Sequence, residues 1–196
     1  MRTLKILIAV VLVAVAGMAS AQVAKQDAKT INLTANLNTT ISLQLDEEDI
    51  VFDFVTLEDY KKGLGRKGGD YSSKGAVSST TNWALIFRAT KDFVHTDGVT
   101  KMNLNNLGLT ATFEGKNKIS NITKYGTISP VKSYYRPLLY YNGRDMNAGD
   151  YEDNKFTIYY EMGTKGRLMN KKSIFDQDLK KGSYSTDIEF LAIEIL

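Results

Sequence analysis

Ile31-Asn32-Leu33-Thr34-Ala35-Asn36-Leu37-Asn38-Thr39-Thr40-Ile41-Ser42-Leu43-Gln44-Leu45-Asp46 decides the fold class of this chain. From Ile31 to Leu45 the odd positions are apolar except for Thr39, and the even positions are Asn, Thr, Ser or Gln. Only a two-residue period puts all those apolar groups on one face, so the stretch reads as a half-buried β-strand. Ordinary strands run about 5–6 residues. The stretch is therefore one unusually long strand, or two strands broken near Asn36–Thr39.

The same period recurs along the chain. Trp83, Leu85, Phe87 and Ala89 alternate with smaller or polar neighbours, as do Leu107, Leu109, Ala111 and Phe113. Phe156, Ile158, Tyr160 and Met162 repeat the pattern, followed by Tyr184, Thr186, Ile188 and Phe190. After Phe190 the apolar positions shift to Leu191, Ile193 and Ile195, which predicts a bulge or a strand end covered on both sides. Val51–Leu57 and Lys132–Tyr141 are further strand candidates. Asn142-Gly143, beside a tyrosine-rich segment, predicts a two-residue hairpin turn. Turns are also expected at Glu114–Asn117, Asn147–Asp150 and Lys180–Gly182.

Helix is scarce. Thr56-Leu57-Glu58-Asp59-Tyr60-Lys61-Lys62-Gly63 has a capping residue, acids in its first turn, lysines in its last and a closing glycine. Ser173–Gly182 carries similar signs. The expected fold is all-β: a single antiparallel Ig-like or Greek-key β-sandwich with short helical turns in its loops.

Composition narrows the chemistry. The 196 residues are enough for one domain with a sizeable core, and they include no cysteine and one histidine. Disulfides, thiol nucleophiles and thiolate metal sites are excluded, and no zinc site can draw on two imidazoles. Met1–Ala21 has the form of a secretory leader: Arg2 and Lys5, an apolar run from Ile6 to Ala16, then Ala19-Ser20-Ala21 before Gln22. The run is shorter than the roughly 20 residues a spanning helix needs. The expected organisation is a signal peptide over 1–21, an N-terminal strand over 22–40 and a sandwich domain over 41–196. The product would be secreted, to the cell surface, the medium or the periplasm, with no transmembrane segment. Without the leader the net charge falls from +3 to about +1, and basic residues are interspersed with acids. Nucleic acid is not an expected partner.

The candidate constellations mostly read as structure. Gly63-Leu64-Gly65-Arg66-Lys67-Gly68 matches GxGxxG, but a helical turn precedes it and no helix pattern follows, so a loop is expected. Asp46-Glu47-Glu48-Asp49 could give calcium several oxygens, yet consecutive carboxylates diverge. A solvated loop is expected there, with weak calcium binding as the alternative. His95 is expected as a surface residue, with no Gly-x-Ser-x-Gly to pair with. Acid pairs such as Glu152/Asp153 have almost no specificity. Asn32, Asn38 and Asn121 open Asn-x-Thr triplets, which are discounted as glycosylation sites because the leader has a bacterial form. No catalytic, cofactor-binding or metal residues emerge. Tyr134, Tyr135, Tyr140 and Tyr141 form the densest aromatic patch, and alternation would turn one tyrosine of each pair outward, where rings stack on sugar faces.

The stretch Ala28-Lys29-Thr30-Ile31-Asn32-Leu33-Thr34-Ala35-Asn36-Leu37, running into Ile41-Ser42-Leu43, resembles the mature N-terminus of bacterial fimbrial major subunits of the alpha (CFA/I-like) type. Lys181-Gly182-Ser183-Tyr184-Ser185-Thr186-Asp187-Ile188-Glu189-Phe190 resembles the terminal strand of pilin-like sandwiches. Ser78-Ser79-Thr80-Thr81-Asn82-Trp83-Ala84-Leu85 is similar to a strand opening in secreted bacterial surface β-domains. The resemblance implies a non-enzymatic subunit of a surface fibre, pilus or extracellular layer. Each copy would lend its N-terminal strand to a neighbour, with Ile31, Leu33, Ala35 and Leu37 as the inserted face. The alternative is a secreted module binding a glycan or host-surface ligand through the tyrosine patch. A small outer-membrane barrel is a third reading, disfavoured by asparagine- and lysine-rich polar faces.

Overall fold

The computed structural model describes residues 33–46, 49–65, 70–123 and 134–195. The expected leader, Ile31, Glu47, Glu48, and Arg66, Lys67 and Gly68 of the glycine-rich run lie outside the described residues. The chain divides between Leu37 and Asn38 into two units. The second of these is an all-β antiparallel sandwich.

One sheet contains β1 (Ile41–Leu45), β2 (Leu64–Gly65), β3 (Ser72–Ser79), β7 (Leu107–Phe113) and β10 (Lys155–Met162). β10 lies in its middle, flanked by β7 on one side and by β3 and β2 on the other, and β1 extends the sheet beyond β3. The facing sheet has the order β12 (Ile188–Ile195), β4 (Asn82–Ala89), β9 (Arg136–Tyr140), β8 (Ser120–Asn121). A small third sheet joins β5 (Phe93–His95) to β6 (Lys101–Met102) and β11 (Tyr184–Ser185).

The period-two pattern generates the core. Directly paired residues of antiparallel strands share a face, and β12 pairs β4 residue for residue from Ile188↔Ala89 to Ile195↔Asn82. Trp83, Leu85, Phe87 and Ala89 therefore point inward beside Ile188, Phe190 and Ala192, and the rings of Phe87 and Phe190 meet at 6.1 Å. From the other sheet Val77, Leu109, Ala111, Phe156, Ile158, Tyr160 and Met162 complete the core. Gly75 sits under the Phe156 ring, where a Cβ would lie 2.6 Å from ring carbons.

Several expectations need correction. The strand expected over 31–45 is confined to Ile41–Leu45, and residues 33–40 are exposed and outside any strand. β12 has no bulge: its register runs unbroken past Phe190, which puts Leu191, Ile193 and Ile195 on the outer face. Val51–Val55 is extended but unpaired. Asn142-Gly143 does not join two paired strands, because the chain leaves the sheet after Tyr140 and the next long strand starts at Lys155. Ser173–Gly182 forms turns, closed where Ser173 Oγ accepts the Asp176 N–H, and no helix forms there. The Thr56–Gly63 reading holds: α1 (Leu57–Lys62) has a capping box in which Thr56 and Asp59 satisfy each other's N–H groups.

Side-chain bonds complete the sheets where strand pairing ends. At the β7 edge, Thr123 Oγ1 accepts the Ala111 N–H at 2.8 Å while Asn121 Nδ2 donates to the Ala111 carbonyl at 2.6 Å. β1 is fastened at both ends as well. Thr40 exchanges bonds with Thr80 at 2.9 and 3.0 Å, and Asp46 with Lys74 at 2.6 and 2.9 Å. The five pairs of the β1–β3 ladder lie between those clamps.

Candidate functional site

Two surfaces answer to the residues singled out in the sequence. The first is the N-terminal stretch. Leu33 and Leu37 are 92% and 95% exposed, and Ala35 is exposed too. Alternate apolar side chains are thus exposed within this stretch.

Ile50–Val55 alternates between half-buried and exposed positions. Ile50, Phe52 and Phe54 turn inward and pack on the core, with Phe52 stacked on Tyr71 at 4.4 Å and Phe54 tilted against Tyr60. Val51 and Val55 turn outward and are largely exposed. This is strand alternation without a ladder. Among the described residues, no backbone hydrogen bond is made by Ile50–Phe54. A segment with one apolar face packed on the core and no main-chain partner among the described residues has the character of an edge suited to strand addition.

The second surface is the outer face of the sheet built on β4, β9 and β12. Its rows are set by register: Ile193, Ala84 and Tyr140 in one, Leu191, Ile86 and Pro137 in the next. A register shift in β9 opposite Leu85/Ile86 lets both Leu138 and Leu139 turn into the core. Tyr134 is 58% and Tyr140 37% exposed. Tyr141 is half-buried.

Tyr135 is bound into a cluster of side chains distant in sequence. Its hydroxyl donates to Glu189 Oε2 at 2.6 Å, Arg88 Nε donates to the same oxygen at 2.6 Å, and the guanidinium lies 4.5 Å from the Tyr135 ring centre. These bonds to the charged oxygen hold the Glu189 carboxyl below the usual range, the Tyr135 hydroxyl first and Arg88 second. The reciprocal bond raises the Tyr135 phenol. Sequence reading missed this cluster, since Arg88 and Glu189 are neighbours only through the β4–β12 register.

The remaining constellations are structural. His95 is a correction: it is buried at 6% exposure. Its Nδ1 accepts the Asp97 N–H, its Nε2 lies 3.0 Å from the Lys181 carbonyl, and its ring meets Tyr184 edge-on. That pattern puts the ring proton on Nε2. Asp97 is ringed by donors, and the Thr100 hydroxyl, the Thr100 and Val99 N–H groups and Lys180 hold its carboxyl well below the carboxylate range. Asp46 is committed to the Lys74 backbone. Glu152 and Asp153 face Lys155 and Lys116 at the surface. Among the described residues no group of three or more His, Cys, Asp or Glu is placed to hold a metal ion. None of the helices among them is long and apolar enough to cross a membrane.

No protein-family model matches the chain, and no curated protein matches it.

Proposed function

We propose that the protein is a secreted structural subunit that assembles by strand addition, the N-terminal segment of one copy pairing with the next. One observation carries this reading: Leu33, Ala35 and Leu37, apolar residues in strand alternation, are exposed and lie in no strand. Leaving Leu33 and Leu37 in water forfeits about 2 kcal/mol of burial each, which insertion between copies recovers. The segment Ile50–Phe54 supports the same reading: it packs one apolar face on the core and has no main-chain partner among the described residues. A chain without cysteine gains stability from such association.

The test uses the chain from Gln22 onward, followed by light scattering and negative-stain microscopy. Filaments or SDS-resistant ladders that vanish on deletion of residues 22–38 support the proposal. A monomer whose size is unchanged by that deletion overturns it.

A second reading rests on a different observation. Tyr140 presents an exposed ring at an apolar face that also holds Pro137, Ile86 and Leu191, and Tyr134, just ahead of β9, is exposed as well. Flat faces of this kind hold sugar rings, and binding of a monomeric chain to a polysaccharide column, lost in Tyr140→Ala, would favour it.

A further inference from the structure

The loop between β9 and β10 contains a reactive pair that no part of the assembly reading uses. Asn142 is followed by Gly143, the one Asn-Gly step in the chain. Gly143 adopts φ +80° and has nothing within 4 Å of the place a Cβ would occupy. The Asn142 side-chain carbonyl, Oδ1, accepts two backbone N–H groups, from Arg144 at 2.8 Å and Asp145 at 2.9 Å. Its amide Nδ2 lies 3.3 Å from Asp145 Oδ2, and that carboxylate is held by Lys118 at 3.6 Å.

We infer that Asn142 is a self-modifying site, converting to aspartate and isoaspartate in the folded protein. The Gly143 backbone nitrogen attacks Asn142 Cγ, forming an N–C bond while its proton passes to solvent base. Negative charge then develops on Oδ1, where the two N–H groups already point, as they would in an oxyanion hole. The Cγ–Nδ2 bond breaks, and the nitrogen leaves as ammonia with a proton taken from water. Water next opens the five-membered imide at either carbonyl. Attack on one side leaves aspartate, and attack on the other leaves isoaspartate, with the chain running through the former side chain. One water is consumed and one ammonia released, with no redox change.

The location confines the consequences. Tyr141 donates its N–H to the Trp83 carbonyl and Asn147 is bound to the same residue, so the loop between them hangs from two fixed points. Met146 is exposed, and a Cβ on Gly143 would meet nothing, so an added main-chain atom can be taken up outward. Conversion replaces a donor to Asp145 by a second carboxylate beside it. The surface gains one negative charge and the Asn142–Asp145 side-chain bond is lost, while the core is untouched.

The test follows the full mature protein at pH 8 and 37 °C by peptide mapping and an isoaspartate-specific methyltransferase assay. The reference is a peptide of residues 138–147 under the same conditions. A folded-state rate at or above the peptide's supports the inference, and a rate below it overturns it by showing that the turn protects Asn142. Arg144→Pro removes the 2.8 Å donor. With folding checked by circular dichroism, it should slow conversion roughly a hundredfold, at the low end of the loss of one oxyanion donor. An unchanged rate would overturn the role given to the two N–H groups.

Discussion

Asn147 is the strand partner of Trp83. Its Oδ1 accepts the Trp83 N–H at 3.0 Å, its Nδ2 donates to the Trp83 carbonyl at 3.0 Å, and its own carbonyl takes the indole N–H at 2.7 Å. Both residues are fully buried. One side-chain amide thus does for Trp83 what a neighbouring strand would do, on the side of β4 where the pairing with β9 ends at Tyr140.

Asn147→Ala should therefore be costly. It leaves a buried N–H and part of a carbonyl's bonding unmet, and a loss of about 2–4 kcal/mol is expected from removing such buried partners. Urea unfolding followed by the fluorescence of the only tryptophan measures it directly. A loss under about 1 kcal/mol would show that water replaces the amide.

Gly182→Ala tests the packing around His95. Gly182 has φ +135° and its Cβ would fall 2.2 Å from His95 Nε2. The ring must move, giving up its contact with the Lys181 carbonyl. Strained backbone and overpacking together predict a loss of about 2 kcal/mol or more. A thermal melt reports it, and the single histidine's NMR signals report the displaced ring.

Much of this architecture was readable from the order of residues, and what was not has identifiable causes. Trp83–Ala89 and Phe156–Met162 announce themselves because alternation is local and their faces are buried. Residues 33–40 have the same alternation yet no sheet, since pattern records a strand's preference and not whether a partner is present. His95 looked exposed because its environment comes from Lys181 and Tyr184, far along the chain. The Arg88–Tyr135–Glu189 cluster was invisible for the same reason. The tyrosine surface was legible in part: outward Tyr140 follows from alternation, whereas the capture of Tyr135 by Glu189 does not.

Acid should weaken the protein in a defined window. Folded Asp97 and Glu189 hold their protons less tightly than their ordinary values of 3.8 and 4.5. The unfolded chain binds protons first, so their stabilisation is complete above about pH 5 and is lost as pH falls below those values. Asp97→Asn should flatten the fall of melting temperature between about pH 5 and 2. A slope unchanged from the parent would remove Asp97 from the account.

Assembly should depend on one face of the N-terminal segment. Leu33→Asp with Leu37→Asp is expected to abolish polymer growth, and Asn32→Asp with Asn36→Asp to leave it intact. Asp53→Pro carries the same test to the other side, because proline removes a main-chain donor from the Ile50–Phe54 segment. Equal loss from both N-terminal pairs would count against insertion.

The double fastening of β1 has a mechanical consequence. A pull on the chain ahead of Thr40 runs along the axis of β1, while the bonds of an antiparallel ladder lie across it. The five pairs to β3 and the clamps at Thr80 and Lys74 are then loaded side by side, not peeled from one end. Such a joint stretches little and fails all at once, so the domain would meet tension at its N-terminal end as a single catch that holds or releases.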